Sequence, residues 1–319
     1  MPKKGTPSDR EGTVRPEGHR QTGRAPSDRE DTVRPGGHRQ TKRSWPLVIS
    51  NNGYFCSPNM KKFHLSSAFL NREVTLEAIG SDEAWAQLKK GRLLLVNDGQ
   101  DLASMELEKS LADLQRKYPD TPLAAVGIHV GERKQEFGIS QRPDFAQRGS
   151  RAAEYGKFVT EELLPYLRRQ KGEIPDVPER QAVMGFSLGA LSAFDLAWHN
   201  SHHFGTAGLF SGSFWWRSKG LEDGYQASDR IALQLVNETD VAPKLRLWFQ
   251  TGGADESADR DNDGLIDSIG DTLDLMRALQ QKGYVPGNEM EYVEMGNGRH
   301  DHKTMARIIP RFLDWWMKS

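Results

Sequence analysis

The chain has 319 residues, with 43 lysines and arginines against 44 acidic residues and a formal net charge of −1 at pH 7. This length suits one large α/β domain with an appendage, and a net charge so near zero does not favour a nucleic-acid binder. The single cysteine, Cys56, excludes a scaffold held by internal disulfides. No apolar run approaches the length of a membrane span and the N-terminus lacks the apolar core of a secretory signal, so we expect a cytoplasmic protein without a membrane partner.

The first part of the chain contains a tandem repeat with almost no large apolar residues. The segment Pro7–Glu11 returns 19 residues later as Pro26–Glu30. Too little surface can be buried there to offset a backbone entropy of about 1–2 kcal/mol per residue. We therefore predict that residues 1–59 form a disordered extension, with a weakly basic binding tail as the alternative, and that residues 60–319 form the folded domain.

From Phe63 onward, segments with the pattern of strands alternate with segments that have the pattern of helices. The predicted strands lie at 63–67, 73–78, 93–96, 123–129, 180–184, 206–210, 245–250 and 290–294, and the predicted helices at 104–118, 151–169, 188–198, 271–282 and 308–316. This alternation predicts an α/β fold with a mostly parallel central sheet and helices on both faces. Catalytic groups in such sheets gather at the carboxyl ends of the strands.

The continuously apolar run Leu93–Val96 ends in Asn97–Gln100, as a buried parallel strand that opens into a functional loop would. A loop at this place supplies one backbone N–H group of an oxyanion hole when a serine nucleophile follows in the chain. We assign that donor to Gln100, with an ordinary turn residue as the alternative.

The segment Gly185–Gly189 has the Gly-x-Ser-x-Gly pattern of a nucleophile elbow. Glycines let the strand and the helix approach more closely than a Cβ would permit, and the serine between them takes a strained backbone conformation. The apolar residues that follow on most faces indicate a helix packed inside the domain. We therefore predict Ser187 as the nucleophile and the backbone N–H of Leu188 as the second oxyanion donor.

Two adjacent tryptophans, Trp215 and Trp216, follow the predicted strand 206–210. Their large apolar area suits the wall of an acyl or alcohol pocket. Packing in the core explains them equally well.

A serine hydroxyl needs a histidine base that is oriented by a carboxylate, and in this type of fold the chain order is serine, acid, histidine. Asp255 and Glu256 follow the strand at 245–250, and His300 and His302 follow the last strand. We choose Asp255 because it lies closer to the strand end, and His300 because it closely follows a glycine-rich turn. Glu256 and His302 are the alternatives.

Four carboxylates in one loop are spaced like positions one, three, five and nine of a calcium-binding loop: Asp259, Asp261, Asp263 and Asp267. Gly264 supplies the turn expected at position six, but the acid of position twelve is missing because Gly270 stands there. We expect a structural Ca²⁺ here, with a solvated acidic loop as the alternative, and no cofactor that catalysis requires.

Several motifs together make the resemblance of this chain to one family specific: Leu95–Gln100, Gly185–Gly189, Ser211–Trp216, Thr251–Glu256 and the glycine-rich turn before His300. From about Phe63 onward, the chain resembles the putative-esterase family of α/β-hydrolases, which includes S-formylglutathione hydrolases, ferric-enterobactin-type esterases, feruloyl esterases and mycolyltransferases. The resemblance implies an α/β-hydrolase fold. It also implies the nucleophile, acid, base and two oxyanion donors at Ser187, Asp255, His300, Gln100 and Leu188.

The sequence therefore predicts a serine esterase that cleaves a small-molecule carboxylic ester through an acyl-enzyme. An acyltransferase of the same fold is one alternative, and a non-catalytic binding protein of the α/β-hydrolase fold is the other. The complete set of serine, acid and histidine argues against the binding protein, because a protein without catalysis is expected to have lost at least one of them.

We predict that removal of residues 1–59 leaves the melting temperature and the ester-hydrolysing activity unchanged within error, because the repeat cannot bury a core. Thermal melting and an assay with p-nitrophenyl acetate, run beside the full chain, test this. A truncated protein that is insoluble or melts several degrees lower would show that the extension packs on the domain.

Overall fold

A central eight-stranded sheet organises the computed structural model, which describes residues 60–171 and 174–318. The strands are β1 (Met60–Ser67), β2 (Arg72–Ile79), β3 (Arg92–Asn97), β4 (Leu123–Ile128), β5 (Gln181–Phe186), β6 (Thr206–Phe210), β7 (Arg246–Ala254) and β8 (Met290–Arg299). The α-helices are α1 (Asp82–Ala86), α2 (Leu107–Lys117), α3 (Arg133–Glu136), α4 (Ala152–Lys157), α5 (Leu164–Lys171), α6 (Leu188–His199), α7 (Ile231–Glu238), α8 (Asp267–Gln281) and α9 (His302–Met317).

The strand order across the sheet is β1-β2-β4-β3-β5-β6-β7-β8. The pairs β1–β2 and β2–β4 are antiparallel, whereas every pair from β4 to β8 is parallel. The central strands β3, β5 and β6 are buried along their whole length, as strands with helices on both faces must be. The parallel strands end at one edge of the sheet, and the predicted site residues follow these ends.

Two separate apolar cores lie on opposite faces of the sheet because successive side chains of a strand point to opposite sides. Leu93 and Leu95 belong to the core that also contains the apolar residues of α6, α7 and α8. Leu94 and Val96 belong to the other core, together with the apolar residues of α2 and α9.

Helix α9 covers the centre of this second face. The ring of Phe312 is fully buried and lies 5.6 Å from the ring of Phe210 and 6.0 Å from the ring of Trp248. A Cβ at Gly208 would come within 2.7 Å of the same ring, so the helix packs directly on the backbone of β6.

The predicted architecture is confirmed: a mostly parallel sheet with helices on both faces, as in an α/β-hydrolase. The expected helix at 151–169 consists of α4, a π-helical segment Phe158–Leu163, and α5. Pro165 explains this difference, because it has no N–H group with which to continue the α-helical ladder and the preceding turns are widened. The short helices α1, α3 and α7 were not predicted.

The predicted disordered extension, residues 1–59, lies outside the described residues. Among the described residues, no helix combines the length and the apolar character that crossing a bilayer requires.

Candidate active site

Ser187 lies between the end of β5 and the start of α6 with φ 57° and ψ −120°, a conformation that residues other than glycine seldom adopt. A Cβ at Gly185 would lie 2.2 Å from the carbonyl oxygen of Gly189, so only glycine allows the strand and the helix to meet in this way. The backbone N–H of Ser187 donates to the carbonyl of Phe210 at 2.9 Å, which ties the turn to the neighbouring strand. The predicted nucleophile thus has the backbone strain that is typical of an elbow.

Ser213 is a close neighbour of Ser187 to which the sequence analysis assigned no role. The two Oγ atoms lie 3.3 Å apart, and the N–H of Ser213 donates to the carbonyl of Ser187 at 3.1 Å. The motif Ser211–Trp216 indicated that this loop matters, but it could not identify a partner for Ser213. That partner depends on the pairing of β5 with β6.

The two candidate acids have different surroundings. Asp255 accepts a hydrogen bond from the N–H of Gly252 through Oδ2 at 2.9 Å, while its Oδ1 is buried and has no hydrogen-bond partner among the described residues. Glu256 instead accepts from the N–H of Ser268 at 2.6 Å. Partial burial and the neighbouring Asp267 raise the pKa of Glu256. Asp255 is therefore the acid with an acceptor oxygen available for a histidine.

The pairing of β7 with β8 brings the predicted acid and base together. Ala254 pairs with Arg299 at the ends of these parallel strands, and Asp255 and His300 are the next residues of each chain segment. The ring of His300 packs 4.5 Å from the ring of Phe186, the residue before the nucleophile. All three groups of the predicted triad thus lie at one edge of the sheet, although no hydrogen bond joins His300 to Ser187 or Asp255 in the described part of the chain.

The environment of His300 favours its neutral form. Part of the imidazole reaches solvent, but packing of the ring removes water and lowers the pKa of His300, an effect that the nearby charge of Arg133 increases and that of Asp255 opposes. A neutral imidazole is the form that a general base needs near pH 7.

His302, the alternative base, has partners on the other side of Phe186. Its Nδ1 lies 2.8 Å from the Oγ of Ser104 and its Nε2 lies 3.8 Å from a carboxylate oxygen of Asp101. Both partners lie after β3, and Asp255 is not among the contacts of His302 in the described part of the chain.

The two predicted oxyanion donors both lie in the first turn of a helical segment, where backbone N–H groups have no intrahelical acceptor. Leu188 is the first residue of α6, and Gln100 lies in a 3₁₀ turn after Asp98, whose φ is 59°. The side-chain amide of Gln100 donates to Asp98 at 2.9 Å, so this side chain is bound within the loop.

Arg133 links this loop to the elbow, a role that the sequence analysis missed. Its Nε and Nη2 donate to the two carboxylate oxygens of Asp98 at 2.9 and 2.8 Å, and Nη2 also donates to the carbonyl of Phe186 at 3.2 Å. Asn97 makes a second link, since its Nδ2 donates to the carbonyl of Gly189 at 2.8 Å. No sequence signal separates Arg133 from the other charges of its loop, because its role depends on a partner far along the chain.

The two tryptophans separate into different environments. Trp216 is 1% exposed and belongs to the core, so it does not line an open pocket. Trp215 is partly exposed and packs against that core. The structure thus leaves Trp215 as the candidate pocket residue of the pair.

In the acidic loop, the structure brings together three of the four predicted metal ligands. Asp259, Asp261 and Asp263 each offer a carboxylate oxygen, and these oxygens lie within 4.8 Å of one another. Asp267 lies outside this group and pairs with Arg260 at 3.0 Å.

Comparison with known proteins places this geometry in a family. Residues 67–308 match the family model described as "Putative esterase". An uncharacterized protein of Bacillus subtilis strain 168, YbbA, is 21% identical over 225 residues, which are 69% of this chain and 83% of that protein.

Solved structures share the fold at low sequence identity. The enterochelin esterase of Shigella flexneri has a TM-score of 0.63 and 20% identity, with 82% of this chain covered. The siderophore hydrolase EstB of Aspergillus nidulans has a TM-score of 0.59 and 15% identity over 83% of this chain and 97% of its own. The chain spans only 59% of the length of the Shigella structure.

The close approach of strand and helix at Gly185 yields a prediction. Gly185→Ala should lower the free energy of unfolding by about 3 kcal/mol or more, because the new Cβ meets a backbone carbonyl that cannot move independently. The matched control is Gly156→Ala in α4, where an added Cβ meets nothing within 4 Å and alanine should be neutral or up to about 1 kcal/mol stabilising. Urea unfolding of the two variants measures both values, and equal midpoints for both would contradict the close approach.

Proposed function

The chain belongs to the putative-esterase family and is a carboxylic ester hydrolase, and we propose that it works through an acyl-enzyme. In this proposal the acyl group is carried by the Oγ of Ser187. The observation that carries this proposal is the strained conformation of Ser187 at one edge of the sheet, beside the ends of the paired strands that lead to Asp255 and His300.

In the first half of the reaction, Nε2 of His300 takes the proton of the Ser187 hydroxyl while Oγ attacks the ester carbonyl carbon. The N–H groups of Leu188 and Gln100 donate to the carbonyl oxygen as it becomes negative. The imidazolium then gives its proton to the leaving alcohol, and the acyl group stays on Oγ.

In the second half, His300 takes a proton from water, the hydroxide attacks the acyl carbon, and the proton returns to Ser187 as the acid leaves. Asp255 keeps the imidazole in the required tautomer by accepting from Nδ1–H. Its buried Oδ1, which has no other partner among the described residues, supports this role.

Arg133 supports the geometry of the oxyanion hole in this proposal. By binding Asp98 and the carbonyl of Phe186 together, it fixes the distance between the loop that carries Gln100 and the elbow that carries Leu188. A fixed pair of donors stabilises developing charge without reorganisation during the reaction.

For the substrate we propose a small-molecule ester. Enterobactin is present in one structure of the Shigella esterase, and another similar structure is a ferulic acid esterase, with a TM-score of 0.60 and 14% identity. A panel of acetyl, feruloyl, siderophore and thioester substrates, assayed with and without an added alcohol acceptor, distinguishes among ester classes and between hydrolysis and acyl transfer.

We predict that Ser187→Ala lowers kcat/KM for p-nitrophenyl acetate by about 10⁴-fold or more while the melting temperature stays near that of the wild type, because removal of a triad member removes the nucleophile and leaves the core intact. A fluorophosphonate probe should label the wild type at Ser187 only. Residual activity within about tenfold of the wild type, or no labelling, would contradict the assignment.

Matched variants of the neighbouring acids serve as the control. Asp255→Asn removes the charge that orients His300 and should lower kcat by about 10²–10⁴-fold. Glu256→Gln removes the same charge one residue later, and its kcat should stay within a few-fold of the wild type. The reverse order of the two effects would assign the acid to Glu256.

We also propose that Asp259, Asp261 and Asp263 bind Ca²⁺ weakly and stiffen the loop that follows the catalytic acid. Three converging carboxylate oxygens favour a divalent cation, and calcium prefers oxygen ligands. The loop also has its own hydrogen bonds, from the N–H groups of Asp263 and Gly264 to Asp259 at 3.1 Å, so it does not depend on the ion for its shape.

We therefore predict a modest effect of calcium. With a dissociation constant of about 1 mM, 10 mM CaCl₂ should stabilise the fold by about 1.4 kcal/mol and raise the melting temperature by about 2–4 °C. Asp261→Asn should lose the shift, and Asp120→Asn, an exposed acid in another loop, should keep it. A melting temperature that is the same in calcium and in chelator, with no binding heat in calorimetry, would show a solvated acidic loop.

A further inference from the structure

Arg217 lies in the loop after β6, and its guanidinium has no acidic partner among the described residues. The side chain is partly buried, and its Nε is buried without a hydrogen-bond partner in the same part of the chain. A guanidinium that has no carboxylate partner keeps further N–H groups that can donate to a bound anion.

Two aromatic rings hold this guanidinium in place. Its Cζ lies 5.0 Å from the ring centre of Phe145 and 5.7 Å from that of Tyr225, both within the range of a cation–π contact. Such contacts orient an arginine while leaving its N–H groups free to donate.

The neighbouring arginines show the contrast. Arg148 also lies over Phe145, at 5.7 Å, but its Nε donates to the buried carboxylate of Asp144 at 2.7 Å. Arg260 lies over Tyr225 at 5.4 Å and pairs with Asp267. Arg217 thus has the same aromatic setting as these two residues but lacks their carboxylate.

A cavity of about 160 Å³ opens beside Arg217, with a lining that also includes Trp215, Leu221, Glu256, Arg260 and Asp267. This volume holds several water molecules and therefore a small charged group. Arg260 pairs with Asp267, and Glu256 is held by the N–H of Ser268, so Arg217 is the cation of this lining that has no ion pair among the described residues.

Two residues of the cavity lining are close in sequence to the candidate catalytic groups. Trp215 follows Ser213 by two residues, a span of at most about 7 Å, and the hydroxyl of Ser213 lies 3.3 Å from that of Ser187. The other residue, Glu256, directly follows Asp255. The lining of the cavity is therefore within two residues of Ser213 in the chain and directly follows the candidate acid.

We infer that Arg217 is a specificity residue that binds an anionic group of the ester, a carboxylate or a similarly planar anion, in the cavity beside Trp215. This inference rests on the proposed function and adds the chemical class of the substrate. A guanidinium held between rings matches a carboxylate with two parallel hydrogen bonds, which fixes orientation as well as charge.

Two pairs of esters that differ only in charge test the inference. One pair places the charge on the acyl side, p-nitrophenyl hydrogen glutarate against p-nitrophenyl methyl glutarate. The other places it on the alcohol side, 4-acetoxybenzoate against methyl 4-acetoxybenzoate. With spontaneous hydrolysis subtracted, the ratio of kcat/KM within a pair does not depend on the fraction of folded enzyme.

The wild type should prefer the anionic member of at least one pair by tenfold or more. Arg217→Met should reduce that preference by about 10- to 100-fold while the neutral esters are still cleaved, and Arg217→Lys should keep part of it. The control is Arg277→Met, an exposed arginine paired with Asp274, which removes the same charge and should leave the ratio unchanged.

Equal charge preference in the wild type and Arg217→Met, or a loss that Arg277→Met reproduces, would overturn the role of Arg217. If no ester of either pair is cleaved, the result contradicts the proposed function but does not test Arg217. A binding measurement then tests Arg217 separately. Calorimetry of monomethyl glutarate and of benzoate with Ser187→Ala should then show binding of at least one anion, and Arg217→Met added to that variant should abolish it. Unchanged binding, or none in either protein, would again overturn the inference.

Discussion

The site depends on one steric constraint, the contact between the end of β5 and the first turn of α6. A Cβ at Gly185 would meet the backbone of Gly189, and a Cβ at Gly189 would meet the carboxylate of Asp98 at 2.8 Å. The residue between the two glycines takes a positive φ. This contact sets where α6 starts, and the helix packs from there against one face of the sheet. Its apolar residues then fill one of the two cores. The strain at Ser187 is thus maintained by the packing of a whole helix.

A second constraint acts from the far edge of the sheet. The strands β7 and β8 stay paired past the ends of their neighbours, with a shift of register between Gly252 and Ala254. Two residues that are far apart in sequence, Asp255 and His300, therefore follow the last paired positions side by side. Backbone pairing sets their distance, and Phe186 positions the imidazole by contact with its ring.

Local pattern was sufficient for the fold and for the strained turn at Ser187. The strands and the longer helices have periodic apolar residues, and the elbow is determined by residues within five positions of one another. The interactions that the sequence did not reveal are all long-range. Arg133 acts through Asp98, 35 residues away, and Ser213 lies against Ser187 only because β6 is the neighbour of β5. The sequence also does not separate Trp215 from Trp216, because both are tryptophans in the same loop. Only the fold determines which of the two side chains packs in the core.

The position of α9 links the order of synthesis to the formation of the core. The face of the sheet that holds Leu94, Val96 and Met184 is covered at its centre by the last helix of the chain, and the backbone carbonyl of Met317 accepts from Arg92 at the start of β3. While the ribosome is still making α9, this apolar surface has no cover, so this core is completed only after α9 has emerged. Contacts of such long range slow folding and leave an aggregation-prone surface exposed in the nascent chain.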